Sequence, residues 1–228
     1  MHRLLVPLLF CVLSATAFCT NSAPMWNTLT PQQQEILSKG KPLLLEVEVP
    51  GNPWPRYTVY HLVNSSPEQA AAVFWDCELD PKYVPNCLSV EMVSRPNPWI
   101  HDGQYTLKMP LMLPSEVYVS CNELKKDSNG YEISWHVLHA RYIQGSIGNL
   151  RIEPHGEKGE QALIRYTNLV RPGSSIAGLL RANASSQVVE SVKALVCQIE
   201  SELSENPQLM EHQVKDLEKD SPPLTSAQ

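Results

Sequence analysis

VNSSPEQAAAVFWDCELDPKYVPNCLSV, residues 63–90, is the stretch on which the reading of the fold turns. Val63 ends a run of alternating residues, and Ser66-Pro67-Glu68 then opens a helix with Ser66 as its cap. Ala70-Ala71-Ala72-Val73-Phe74-Trp75 forms the body of that helix. Asp80-Pro81 and Val84-Pro85-Asn86 bracket a second, very short helical turn. A strand therefore runs into two short helices before the next strand begins.

Upstream, LLLEVEV (residues 43–49) and RYTVYHLV (residues 56–63) read as one strand interrupted at Pro50-Gly51-Asn52-Pro53. Before it, Thr30 caps a short helix with Pro31 at its first position, and Gly40 stops it. Residues 18–28 read as a linker. Downstream, strands are expected near 88–95, 100–110, 115–125, 131–140, 145–154 and 161–171, with Asn129-Gly130 as a hairpin signal. Consecutive strands without intervening helices mean an antiparallel sheet. Residues 174–203 form a long amphipathic helix: Ala177, Ala184, Val192, Leu195 and Ile199 lie on the face of Val188, with Cys197 opposite. Residues 205–228 are polar and acidic, and read as a disordered tail.

The composition sets bounds. Only 18% of the 228 residues are charged, the net charge is −6, and there are 19 prolines. The acidic balance argues against a nucleic-acid partner, which needs clustered Lys and Arg. The N-terminus has the pattern of a secretory signal: Arg3, an apolar run over residues 4–13, and Ala15-Thr16-Ala17. Ten apolar residues are too few to span a bilayer core of roughly 30 Å. Cleavage after Ala17 would place the protein outside the cell or in a periplasm. It would leave Cys19, Cys77, Cys87, Cys121 and Cys197, an odd number, with Cys77 and Cys87 close enough in sequence to meet.

The order of elements and the motif residues Pro67, Glu68, Trp75, Asp76, Pro81, Tyr83 and Pro85 resemble the opening of the START-related, or SRPBCC, helix-grip superfamily, which includes polyketide cyclase-like and birch-pollen-allergen-like proteins. A Gly-containing strand near residues 145–152, a strand reaching Tyr166, and Arg171-Pro172 before the long helix resemble its closing block. Ile147-Gly148 and Ala162 depart from its usual Trp and Thr. The resemblance implies an α+β fold over residues 40–204. In it, a curved antiparallel sheet of about seven strands wraps around the C-terminal helix and leaves an apolar cavity between them.

On that expectation the candidate ligand contacts are the strand positions Tyr105, Leu107, Met109, Trp135, Val137, Ile164 and Tyr166, with Leu180 and Val188 from the helix. His139, Arg141, Arg165 and Tyr166 are candidates to orient a head group. An apolar lip over residues 108–113, interrupted by Pro110, suits transient membrane contact at the cavity mouth. His136 and His139, three apart on a strand, are expected on opposite faces and not as a metal pair. No metal, cofactor or phosphate loop is expected. The leading reading is a monomeric secreted or periplasmic carrier of a lipid-like or other hydrophobic small molecule. The alternatives are a polyketide cyclase or dehydratase-like enzyme using His139 or Tyr166, or an interaction module with a vestigial cavity.

Overall fold

A computed structural model describes residues 23–109, 113–173 and 177–222, with only the backbone at 177–180 and 182. The expected leader, Cys19, residues 110–112 of the lip and the side chain of Leu180 lie outside the described residues. Two helices begin as the sequence indicates. Thr30 caps α1 (Pro31–Ser38) and Ser66 caps α2 (Pro67–Trp75), each in a reciprocal capping box with Gln33 or Gln69. A short turn, α3 (Asp80–Tyr83), follows α2 and leads into the sheet.

The sheet has eight strands, one more than expected. LLLEV and RYTVYHLV are separate strands, β1 (Leu43–Val47) and β2 (Arg56–Val63), which pair antiparallel across the Pro50–Pro53 turn. The rest form a meander: β3 (Cys87–Asn97), β4 (Ile100–Leu107), β5 (Glu116–Asp127), β6 (Gly130–Ala140), β7 (Ile143–His155) and β8 (Gln161–Pro172). Every pairing is antiparallel, and the spatial order is β1-β2-β8-β7-β6-β5-β4-β3. In the β5–β6 hairpin, Asp127 pairs with Gly130, so Ser128 and Asn129 make the turn and Gly130, at φ 136°, opens the next strand. A Cβ at Gly130 would lie 2.0 Å from the Ile152 carbonyl oxygen, so only glycine fits.

The long helix α4 (Ala177–Glu205) covers the sheet. Its predicted face is the buried one: Ala184, Val192, Leu195 and Ile199 are all inside, while Cys197 is exposed. The main core joins Val192 and Ile199 to the α2 alanines and to Tyr131, Ile133 and Ile152 of the sheet. A second cluster packs the N-terminal segment on the outer face, with Met25, Leu29 and Leu37 against Tyr60 and Leu163. The supposed linker is therefore docked from Met25 onward. The Met25 amide donates to Glu153 Oε2 at 2.7 Å, and the Trp26 ring packs at a tilt against His155, 4.2 Å between centroids.

The C-terminal segment departs most from expectation. Residues read as a disordered acidic tail form α5 (Pro207–Asp220), packed along α2. Met210, Gln213 and Leu217 are buried on its inner face, and the charged residues lie outside in (i, i+3) and (i, i+4) pairs such as Lys215–Glu211. Gln213 Nε2 donates to Asp76 Oδ2 at 3.1 Å. Asp220 accepts from Trp75 Nε1 at 2.9 Å and pairs with Arg95 of β3. High charge here marks one face of an amphipathic helix.

Candidate functional site

Between the curved sheet and α4 the side chains stop short of filling the interior, leaving a cavity of about 350 Å³. That lies toward the small end of the roughly 300–1,000 Å³ range of small-molecule sites. The main core fills one part of the concave face, where α2 and the latter half of α4 press on the sheet. The cavity occupies the rest, floored by β4–β8 and roofed by α2, α3 and the middle of α4. Aromatic rings make much of its wall. Tyr105 and Tyr118 stack at 4.9 Å, and Trp135 lies 5.1 Å from Tyr166.

Several candidate contacts line this space: Tyr105, Leu107, Met109, Trp135, Val137, Tyr166 and, from α4, Val188. Ile164 does not, being fully buried in the main core. Arg165 is half-buried on the opposite face of β8, cross-strand from Tyr60 and Arg151. Arg141 is exposed beyond the end of β6, its guanidinium donating to the Ser115 carbonyl.

His139 is turned out by a bulge. Val119 pairs with His139 but Ser120 pairs with Val137, so Leu138 is an extra residue in β6. One inserted residue reverses the alternation. Val137 faces the cavity, whereas His139 is exposed. The same reversal puts His136 and His139 on one face, contrary to the strict period-two expectation. No group of three or more His, Cys, Asp or Glu side chains suited to a metal occurs among the described residues.

A polar cluster that the sequence did not single out lies in the wall. Cys77 follows α2, Asp80 and Tyr83 come from α3, and His101 and Tyr105 from β4. Cys77 Sγ is 3.5 Å from His101 Nε2, and the Tyr83 hydroxyl donates to Asp80 Oδ1 at 2.7 Å. His101 is 2% exposed, packed 4.2 Å from Trp75, with no hydrogen-bond partner at Nδ1. Burial sets the ionisation of all five groups, raising the Tyr83 and Tyr105 phenols. It pushes the Cys77 thiol up to about 12, with Asp80 adding to the shift. It raises Asp80 to about 7 against the lowering bond from Tyr83. It lowers His101 to about 4, helped by Arg95. The Cys77–His101 pair is therefore neutral and not an activated thiolate. Iodoacetamide on the native protein should alkylate exposed Cys197 while Cys77 and Cys87, both free and buried, react only after unfolding. Peptide mapping by mass spectrometry reads the order, and early labelling of Cys77 would refute it.

Asp80 and His101 act oppositely on stability. Asp80 binds a proton in the folded state between its ordinary 3.8 and about 7, so its contribution is present in acid and lost as pH rises through 7. His101 stays neutral below its ordinary 6.5, so its contribution is present above that value and lost as pH falls toward 4. Between these limits the two slopes offset each other. Asp80→Asn should uncover the His101 slope, losing roughly 2 kcal/mol between pH 6.5 and 4.5 at about 1.4 kcal/mol per unit. Urea melts across that range check it, and a variant as flat as the wild type would contradict the assignment.

Two further wall groups serve the fold. Glu116, buried, accepts from the Arg141 and Tyr142 amides at 2.7 and 2.8 Å, closing the β6–β7 connection. The Ser146 hydroxyl donates to Asn168 Oδ1 at 3.0 Å across β7 and β8.

No family model matches the chain, and no curated protein matches it in sequence. Solved structures do match in shape. A STAR-related lipid transfer protein from Xanthomonas axonopodis aligns with a TM-score of 0.62 at 14% identity, over 70% of this chain and 93% of that one. Human STARD10 aligns at 0.56 and 15% identity, over 86% and 90%. The Zhui aromatase/cyclase from Streptomyces sp. R1128 aligns at 0.53 and 14% identity, over 66% and 96%. The fold is thus the START-related helix-grip fold, as residues 63–90 and the closing block indicate.

Proposed function

We propose that the protein is a carrier, secreted or periplasmic, that holds a lipid-like or other hydrophobic small molecule between the sheet and α4 without transforming it. The observation that carries this is the aromatic-walled cavity of about 350 Å³ with a few convergent hydrogen-bonding groups. The shared fold of a STAR-related lipid transfer protein supports it. Secretion rests on the N-terminal signal pattern, and a transient membrane contact on the apolar segment 108–113; a monomer is part of the same reading. Native mass spectrometry of protein from its own source tests the proposal: a co-purifying apolar molecule is expected. A delipidated protein that takes up none of a panel of neutral and anionic apolar probes would overturn it.

Val137 projects into the cavity opposite α4. Val137→Phe should fill part of the space, leave the fold intact and weaken probe binding at least about tenfold, or 1.4 kcal/mol. Titration of probe fluorescence checks it.

The enzymatic alternative keeps one of its two residues. His139 is outside, while Tyr166 lines the cavity with its phenol raised by burial, so that it stays protonated and can hydrogen-bond a carbonyl but is a poor proton donor or acceptor. Unchanged turnover of aromatic polyketides by Tyr166→Phe would dispose of that alternative. An acidic tail free to hold a partner is replaced by α5, whose apolar face is already buried.

A further inference from the structure

The charges around the cavity narrow the chemistry of the ligand, taking the carrier reading as given. Among the described residues no lysine or arginine lines the cavity, whereas two carboxyl groups do. Neighbouring basic side chains are engaged or point to solvent. Arg95 pairs with Asp220 and donates to the Pro98 carbonyl. Arg141 binds the Ser115 carbonyl, and Arg181 binds the Pro53 carbonyl and Glu48. Lys82 and Lys108 are exposed. A buried carboxylate, sulfate or phosphate would find no counter-ion here, and an unpaired charge out of water costs several kcal/mol.

Of the two carboxyl groups, Glu116 is engaged at both oxygens by the Arg141 and Tyr142 amides. Asp80 is not: Tyr83 occupies Oδ1, and no described residue hydrogen-bonds to Oδ2. Beside it stand the Cys77 thiol, the Tyr105 hydroxyl that interacts with that thiol, and the His101 ring. These groups offer donors and acceptors in an environment that resists charge, in a wall that sets neutral polar side chains such as Ser120, Asn122, Gln187 and Ser191 among its aromatic and aliphatic ones.

We propose that the cavity selects an uncharged, compact hydrophobe bearing a hydroxyl or carbonyl group. That group hydrogen-bonds within the cluster of Cys77, Asp80, Tyr83, His101 and Tyr105, and the apolar body lies along Trp135 and Val188. Anionic lipids, whose head group would find no lysine or arginine in the cavity wall, are turned away.

The test uses a matched pair with one skeleton, retinol and retinoic acid, titrated by quenching of the tryptophans at pH 8, where Asp80 is ionised. Retinol should bind at least about tenfold more tightly. Asp80→Asn should narrow that gap by improving retinoic acid. Tyr105→Phe, which keeps the ring stack, should weaken retinol severalfold. Circular dichroism and urea melts establish that each variant is folded. Retinoic acid binding as tightly as retinol would overturn the charge selection and leave the carrier reading standing. A retinol preference unmoved in both variants would overturn the assignment of the cluster. Failure of both probes, with no apolar molecule co-purifying, would remove the carrier reading and this inference together.

Discussion

Ending the chain after Asn206 is expected to destabilise the protein by several kcal/mol, a large part of the roughly 5–15 kcal/mol typical of a domain. The removed helix buries Leu217 at 0% exposure and Met210 at 3%. Replacing either with alanine alone should cost roughly 2–5 kcal/mol, the range for emptying a large aliphatic site. The two lie two turns apart on one face, so their joint effect need not be additive. Truncation also leaves the Trp75 indole N–H and Arg95 without Asp220. Fourteen residues of helix are marginal alone in water, so α5 owes its order to this packing. Equilibrium urea denaturation measures the loss. Glu211→Ala, on the outer face, should stay within about 0.5 kcal/mol as the control. A truncated chain as stable as the full one would mean the segment is a tail after all.

Gly148→Ala should damage the sheet and the cavity wall together. A Cβ there would stand 2.3 Å from Trp135 Cζ2 and 2.4 Å from the Thr167 carbonyl oxygen. The indole can swing only by leaving its contacts with Tyr166 and Phe74, and the carbonyl belongs to a paired strand. Overpacking of this kind costs roughly 1–3 kcal/mol, and backbone contact puts this site at the upper end. Displacing Trp135 also reshapes the cavity wall, so probe affinity should fall with stability. Gly145→Ala is the matched control, since nothing lies within 4 Å of the place its added methyl would take, and it should be neutral. Thermal melts and probe titration of both variants decide it; a Gly148→Ala protein that behaves like Gly145→Ala would show that the wall yields freely.

Some features of the fold are legible in the sequence because their causes are local. The caps at Thr30 and Ser66, the turn before Gly130 and the buried stripe of α4 depend on neighbours within a few residues. The segment after Asn206 misleads because its charge outweighs its pattern. Met210, Val214 and Leu217 follow the i, i+4, i+7 spacing of a helix face, with Pro207 at its start, and the long-range partner α2 decides the matter. His139 escapes a strict alternation because alternation assumes no bulge, and nothing in residues 131–140 announces the extra residue at Leu138. Arg165, adjacent to Tyr166, is turned to the other face of β8 by the period itself, and Ile164 stands in the core and not in the cavity wall for a different reason. The direction of a strand residue follows from its period, but its position along the strand decides between core and cavity. The polar cluster is invisible in sequence, because Cys77, Asp80 and His101 belong to three different elements that only the tertiary fold brings together.

The strand order has a consequence for synthesis. From β3 to β8 each strand pairs with the next in sequence, so the meander can zip up through short connections. The junction of β2 with β8 is different: Val63 pairs with Ala162, about a hundred residues later. On a ribosome adding roughly 5–20 residues per second, the apolar β1–β2 hairpin must wait on the order of ten seconds for its partner. During that interval it presents an unpaired edge, the form in which strands aggregate. A nascent chain of this topology therefore needs shielding at its beginning until its end has been made.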